Sequence, residues 1–258
     1  MSIKGLTYEQ HRHVLSKLVR LGNLTAIKRP HKSGIEYTSL MVCFLKHNVT
    51  SAECLLALYN SFGNNFPATV GYTIVRPMFE IDVIAHYITL DPTARARQYI
   101  DYGRVIEKQQ MDAWGKHRHS EKPDWNEGMN MAWDNYWAQR ESDINSQFHS
   151  VRFKFEKNNK LFRNWSGKNI KEMAVAVDHE EAYNIFYADL SSFTHADVRL
   201  ADRFLSLNST GISWTSLPKP FDIGGVFRYA DIFLTCFLSL FGKEFDLWTK
   251  EEVEKCWG

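Results

Sequence analysis

Apolar positions along this chain recur mostly at three- and four-residue intervals, and that spacing predicts helices almost throughout. Val14, Leu15, Leu18 and Leu21 form a first stripe behind Thr7-Tyr8-Glu9-Gln10, a capping-box pattern. Thr50-Ser51-Ala52-Glu53 repeats the pattern ahead of Leu55, Leu56, Leu58 and Tyr59, with Gly63-Asn64-Asn65 as the break behind it. A long, nearly apolar helix is predicted from about Pro67 to Thr89. Asp91-Pro92 then supplies a cap and a first-turn proline for an amphipathic helix reaching about Trp114. Asp178-His179-Glu180-Glu181 opens a helix expected to run to about Leu207, followed by a loop from Gly211 to Pro220. The last long helix is predicted from about Asp222 to Phe241, and Thr249-Lys250-Glu251-Glu252 caps a short terminal one.

Between His117 and Trp165 the pattern changes. This stretch opens polar, holds four of the eight tryptophans, and keeps helical spacing from Met129 to Ile144. Val151, Phe153 and Phe155 then alternate with charged residues ahead of Asn158-Asn159, which signals a hairpin. The expected fold is all-α, a multi-helix bundle in a single domain over residues 1–258. Residues 117–165 are expected to be a tryptophan-rich excursion within it that holds a short β-hairpin.

Composition narrows the classes. With 44% hydrophobic and 24% charged residues the chain has the balance of a folded protein with a large core. A net charge of +1 gives no global field toward nucleic acid or membrane, so any such attraction must be local. Cys43, Cys54, Cys236 and Cys256 form no C-x-x-C pair, and the N-terminal residues have no apolar signal-peptide core. A reducing, cytoplasmic location is the natural expectation. Ile232–Leu240, the most apolar run, is short for a bilayer span and reads as a buried helix, so no membrane association is expected. His11-Arg12-His13 and His117-Arg118-His119 lack a carboxylate or cysteine at zinc-site spacing, so no metal is expected. Without a phosphate loop or a dinucleotide fingerprint, no cofactor is expected either.

Three groups of residues go beyond packing. Arg76 and Glu80 lie four apart on the apolar helix and share a face, as do Asp82 and His86. Buried charges of this kind need partners. Arg before Glu is the weaker orientation for an intrahelical pair, which points to additional partners on another helix. Tyr187, Ser191 and His195 recur every four residues, a step of about 40° around a helix, and form a second stripe. A histidine beside a hydroxyl can move protons near neutral pH, or can simply be a packed and hydrogen-bonded residue. From Val151 to Lys171, seven basic residues face a single acid, Glu156, with aromatics interleaved. Arg152, Lys154, Arg163, Trp165 and Lys168 could hold a nucleic-acid strand by phosphate contact and stacking, or could form a solvated basic edge.

Two blocks carry a family resemblance. One is Val75-Arg76-Pro77-Met78-Phe79-Glu80 with Tyr87–Leu90, Asp91-Pro92 and the Arg97–Tyr102 run behind it. The other is Trp165, then Tyr183 and Tyr187, then Leu190-Ser191-Ser192-Phe193-Thr194-His195. Their order, over about Val42 to Phe241, resembles the bacterial domain of unknown function 5677 family. That family is distantly similar to the HEPN superfamily of helical toxins and defence ribonucleases. Those enzymes cleave RNA without metal, through an Arg and a His in an Arg-x(4–6)-His motif within a dimer groove. This chain has no Arg and His at that spacing, so the resemblance implies a pair assembled from two helices, Arg76 with His195. Glu80 would then orient Arg76, and Ser191 or Tyr187 the substrate or the imidazole.

Two readings follow. One is a HEPN-like effector that cleaves or binds RNA, in phage defence or a toxin system. The other is a non-catalytic binding or regulatory module in which Arg76, Glu80, Tyr187 and His195 form a buried network and a protein partner or second copy docks on the tryptophan-rich stretch.

Overall fold

The computed structural model describes residues 6–27, 29–115, 127–158, 160–187, 190–191, 205–208, 211–214 and 220–258. The helices are α1 (Tyr8–Asn23), α2 (Ile35–Phe62), α3 (Ala68–Thr89), α4 (Pro92–Gly115), α5 (Glu127–Val151), α6 (Ile170–Ala176), α7 (Glu180–Ala182), α8 (Pro220–Phe245) and α9 (Lys250–Glu254). The strands are β1 (Glu156–Lys157), β2 (Lys160–Leu161), β3 (Leu205–Asn208) and β4 (Gly211–Trp214), paired as two short antiparallel hairpins. The fold is all-α, and the chain gathers into two compact units: residues 1–92 with 170–258, and residues 93–169.

In the first unit, α1, α2, α3 and α8 pack against one another. The caps expected at Thr7 and Thr249 are formed. Thr7 Oγ1 accepts from the Gln10 amide at 3.3 Å while Gln10 Oε1 accepts from the Thr7 amide at 2.8 Å. Thr249 and Glu252 exchange the same two bonds at 3.2 and 2.7 Å. Thr50 starts no helix; it lies on the exposed side of an uninterrupted α2. Met41, Phe44, Leu45, Asn48, Val49, Ala52 and Leu55 make one continuous buried stripe through it. Burying that stripe outweighs a local capping preference worth about 1 kcal/mol.

α8 is the axis of this unit, with Val226, Phe227, Ala230, Leu234, Phe237, Leu238 and Phe241 fully buried. Its segment Ile223–Phe245 has the length and mean hydropathy, 1.4, of a membrane span, yet more than half of it is buried inside the bundle. At its midpoint Asp231 is fully buried and meets His11 of α1, with His11 Nδ1 2.6 Å from Asp231 Oδ2. Half of the His11-x-His13 pair is therefore committed to a carboxylate inside the bundle. Close approach to α3 requires glycine at Gly71, where a Cβ would lie 2.8 Å from Phe66 and Val226.

The helix expected from Asp178 to Leu207 differs at both described ends, and its middle, residues 192–204, lies outside the described residues. α7 is a single turn followed by a π-turn over Tyr183–Tyr187. Leu205–Asn208 is a strand paired with Gly211–Trp214, so the loop expected from Gly211 also begins as a strand. Apolar spacing alone does not separate a helix end from a short strand, and the Asn208-Ser209-Thr210-Gly211 tetrad behind Leu205 is a turn signal.

In the second unit, α4 and α5 are joined by aromatic packing: Trp137 meets Trp114 edge-on at 6.0 Å. The expected hairpin forms at Asn158, which adopts a left-handed φ of 52°. It is shorter than the alternation suggested, because Val151 ends α5 and Arg152–Lys154 make a 3₁₀ turn. Phe155 is buried and packs on Tyr102 at 5.2 Å, and Tyr102 donates to the Phe162 carbonyl at 3.0 Å.

Candidate functional site

α3 is apolar because it lies between α2 and α8, and its polar residues are answered by the segment from α6 to the π-turn. Arg76 Nε donates to Glu80 Oε1 at 3.0 Å, and Arg76 Nη2 donates to the Tyr187 hydroxyl at 3.1 Å. The guanidinium carbon also sits 5.2 Å from the Tyr187 ring centroid. Tyr187 stacks on Tyr183 at 4.6 Å and touches Phe79 at 6.1 Å. Burial opposes the charge on Arg76, but Glu80 and Tyr187 outweigh it and hold the guanidinium pKa above its ordinary value. The Arg76 side chain is 15% exposed. Ser191 is half-buried, and His195 lies outside the described residues, as does any contact it makes with Arg76.

One turn along the helix, a second cluster joins Asp82, His86 and His179. His86 Nδ1 lies 2.9 Å from the Asp82 carbonyl oxygen and 3.3 Å from Asp82 Oδ1. His179 Nδ1 lies 3.7 Å from Asp82 Oδ2, and the two imidazoles meet edge to face at 4.6 Å. Burial disfavours charge on both rings. The Asp82 carboxylate overcomes this at His86, whose pKa is raised, whereas His179 is left with a lowered one. The spacing of Asp82 and His86 on an apolar helix was the visible sequence signal. His179 read as part of a helix cap, because its approach to Asp82 depends on the chain returning across α3.

The basic-aromatic stretch of the second unit is partly engaged within that unit. Trp165 is buried against Tyr99, with ring centroids 5.2 Å apart. Arg152 is exposed but forms a fork with Glu156 at 2.6 and 2.8 Å. Lys154 reaches Asp101 at 2.6 Å. Arg163 and Lys168 are exposed.

On another part of this unit, a groove of about 720 Å³ runs between α4 and α5, walled by Met111, Trp114, Met129, Trp133, Tyr136 and Trp137, with Glu107 and Arg140 at its edge. Trp114 is 65% exposed and Tyr136 58%. Trp137 is buried, and its indole N–H has no hydrogen-bond partner among the described residues.

An all-α chain with two polar clusters on one core helix defines a helical class without naming a reaction. A model of the family of unknown function DUF5677 matches residues 40–212, and the chain belongs to that family. No curated protein and no solved structure matches the chain.

Proposed function

We propose that the protein is a binding or regulatory module that receives an amphipathic helix of a partner protein in the groove between α4 and α5. The observation that carries this reading is the groove itself: an aromatic and methionine wall, partly exposed. Exposed apolar patches of this kind mark interaction sites, and methionine walls adapt to apolar anchors at helical spacing. Glu107 and Arg140 at the edge favour a segment with charges of both signs beside its apolar stripe.

In this reading Arg76 serves the architecture of the first unit. Its donors to Glu80 and Tyr187 are spent on holding the π-turn to α3, and little of the side chain reaches solvent.

Selection of a displayed library of amphipathic helical peptides against the purified protein tests the proposal. Enriched peptides should share apolar anchors three, four and seven residues apart, and should bind at least tenfold more weakly to Trp133→Ala and Tyr136→Asp. Peptides that bind these variants as well as wild type would refute the groove as the site. The HEPN-like reading is tested in parallel with total RNA. Cleavage by wild type that is lost in both Arg76→Ala and His195→Ala would replace the module with a ribonuclease.

A further inference from the structure

The Asp82, His86 and His179 cluster has a feature that a purely structural trio lacks. Asp82 is 3% exposed, and its two carboxylate oxygens are each turned to an imidazole, Oδ1 to His86 Nδ1 at 3.3 Å and Oδ2 to His179 Nδ1 at 3.7 Å. His86 Nδ1 is also engaged with the Asp82 backbone carbonyl at 2.9 Å. A proton on Nδ1 directed at a carbonyl fixes the tautomer in which Nε2 carries a lone pair, which is the usual outer contact of a metal-binding histidine. A buried carboxylate needs hydrogen bonds or a cation to offset its desolvation, and a bound metal ion supplies the charge that two largely neutral imidazoles do not.

The geometry points to a divalent transition-metal site formed by Asp82, His86 and His179. One donor atom from each residue can be chosen so that all three lie within 4.8 Å of one another. Around a tetrahedral ion with bonds of about 2.1 Å, neighbouring donors are about 3.4 Å apart, so small side-chain rotations close the set. Two imidazoles and one carboxylate suit Zn²⁺ or Fe²⁺ over Ca²⁺ or Mg²⁺, which take oxygen ligands. Three protein ligands leave at least one coordination position for water or a ligand, the pattern of open sites. Access is available, since His86 also borders a surface cavity of about 920 Å³ shared with Thr89, Lys243 and Trp248. Lys243 is the cation facing His86, so an ion must bind against its repulsion, which favours tight directional ligation over loose ion pairing. The site is independent of the groove in the second unit and of any partner there.

Untagged, metal-stripped protein titrated with Co²⁺ tests the site. One equivalent should bind with visible d–d absorption, Zn²⁺ should displace it, and Zn²⁺ should raise the melting temperature. His179→Ala and His86→Gln should each weaken binding at least tenfold, and the exposed His13→Ala should leave it unchanged. His179 is on a one-turn element outside the four packed helices, so its variant should keep wild-type helicity by circular dichroism. Should it not, His86→Gln with retained helicity serves as the reading. Absence of saturable Co²⁺ and Zn²⁺ binding, or binding equal in wild type and both ligand variants, overturns the assignment.

Discussion

Replacing His11 by alanine isolates the buried pair at the centre of the bundle. Asp231 is fully buried, His11 is 3% exposed, and a 2.6 Å contact joins them. Burial, partly countered by His11, pushes the Asp231 carboxyl up from 3.8 to about 6. The folded state therefore keeps a proton that the unfolded chain gives up as pH rises from about 4 to about 6. Wild-type stability should fall across that window by about 3 kcal/mol from this residue, and Asp231 contributes no further slope above it. Without His11 the carboxylate loses the contact that made its charge tolerable. His11→Ala should then cost about 3–5 kcal/mol near neutral pH, the usual penalty for an orphaned buried charge. At about pH 4, where the carboxyl is neutral, the cost should shrink to that of a lost hydrogen bond and a small void, about 1–3 kcal/mol. Asp231→Asn keeps an acceptor toward His11 and removes the charge, so it should flatten the wild-type slope between about pH 4 and pH 6. Urea unfolding followed by far-ultraviolet circular dichroism at both ends of the window measures all three. An equal cost for His11→Ala at about pH 4 and about pH 8 would refute the reasoning, because the pair would then carry no charge-dependent energy.

Asn48 on α2 is fully buried with neither amide atom hydrogen-bonded among the described residues, so Asn48→Leu, which keeps the branch at Cγ and removes both polar atoms, should raise stability by about 1–3 kcal/mol. A drop in melting temperature would contradict this. Gly225 lies under the Tyr72 hydroxyl, which an added Cβ would overlap, so Gly225→Ala should destabilise by about 1–3 kcal/mol. Adding Tyr72→Phe should recover part of that loss, and no recovery in the double variant would count against the clash. Cys43 and Cys54 are exposed, whereas Cys236 is half-buried and desolvation pushes its thiol up to about 12. Ellman's reagent should modify the first two in the native protein and Cys236 only after denaturation; fast native modification at Cys236 would show the core is open there.

How far the sequence could be read depended on whether a contact is local. α3 was visible in full, because its apolar period and Asp91-Pro92 behind it are short-range signals. So was the Arg76–Glu80 contact, four residues apart. The weaker Arg-before-Glu order called for a partner from elsewhere, and Tyr187 fills that role across 111 positions of sequence. Which residue would do so was not readable, since regular helical spacing was expected where Tyr183–Tyr187 form a π-turn. Thr50 misled for the opposite reason: its local pattern was sound, but the buried stripe of α2 overrode it. Trp165 could be read either as a stacking surface or as core, because interleaved aromatics and cations look alike in sequence whether the rings face solvent or interior; its ring packs on Tyr99.

The two polar pairs of α3 place a common demand on one stretch of chain. Arg76 and Asp82 are six residues apart, which turns the helix through about 240° and separates them by about 9 Å along its axis. Two independent elements could have answered them. Instead, the single stretch from α6 to the π-turn, which packs on α3, sends His179 to Asp82 and Tyr187 to Arg76. Those two contacts are eight positions apart, with the single turn of α7 between them. Each polar side chain set into the apolar helix therefore does two things: it has its own desolvation offset by a partner, and it fixes the register of a segment whose short helices would not hold by themselves. Loss of one contact should loosen the turn that presents the other, so the Arg76 and Asp82 clusters belong to one mechanical unit even though their side chains do not touch.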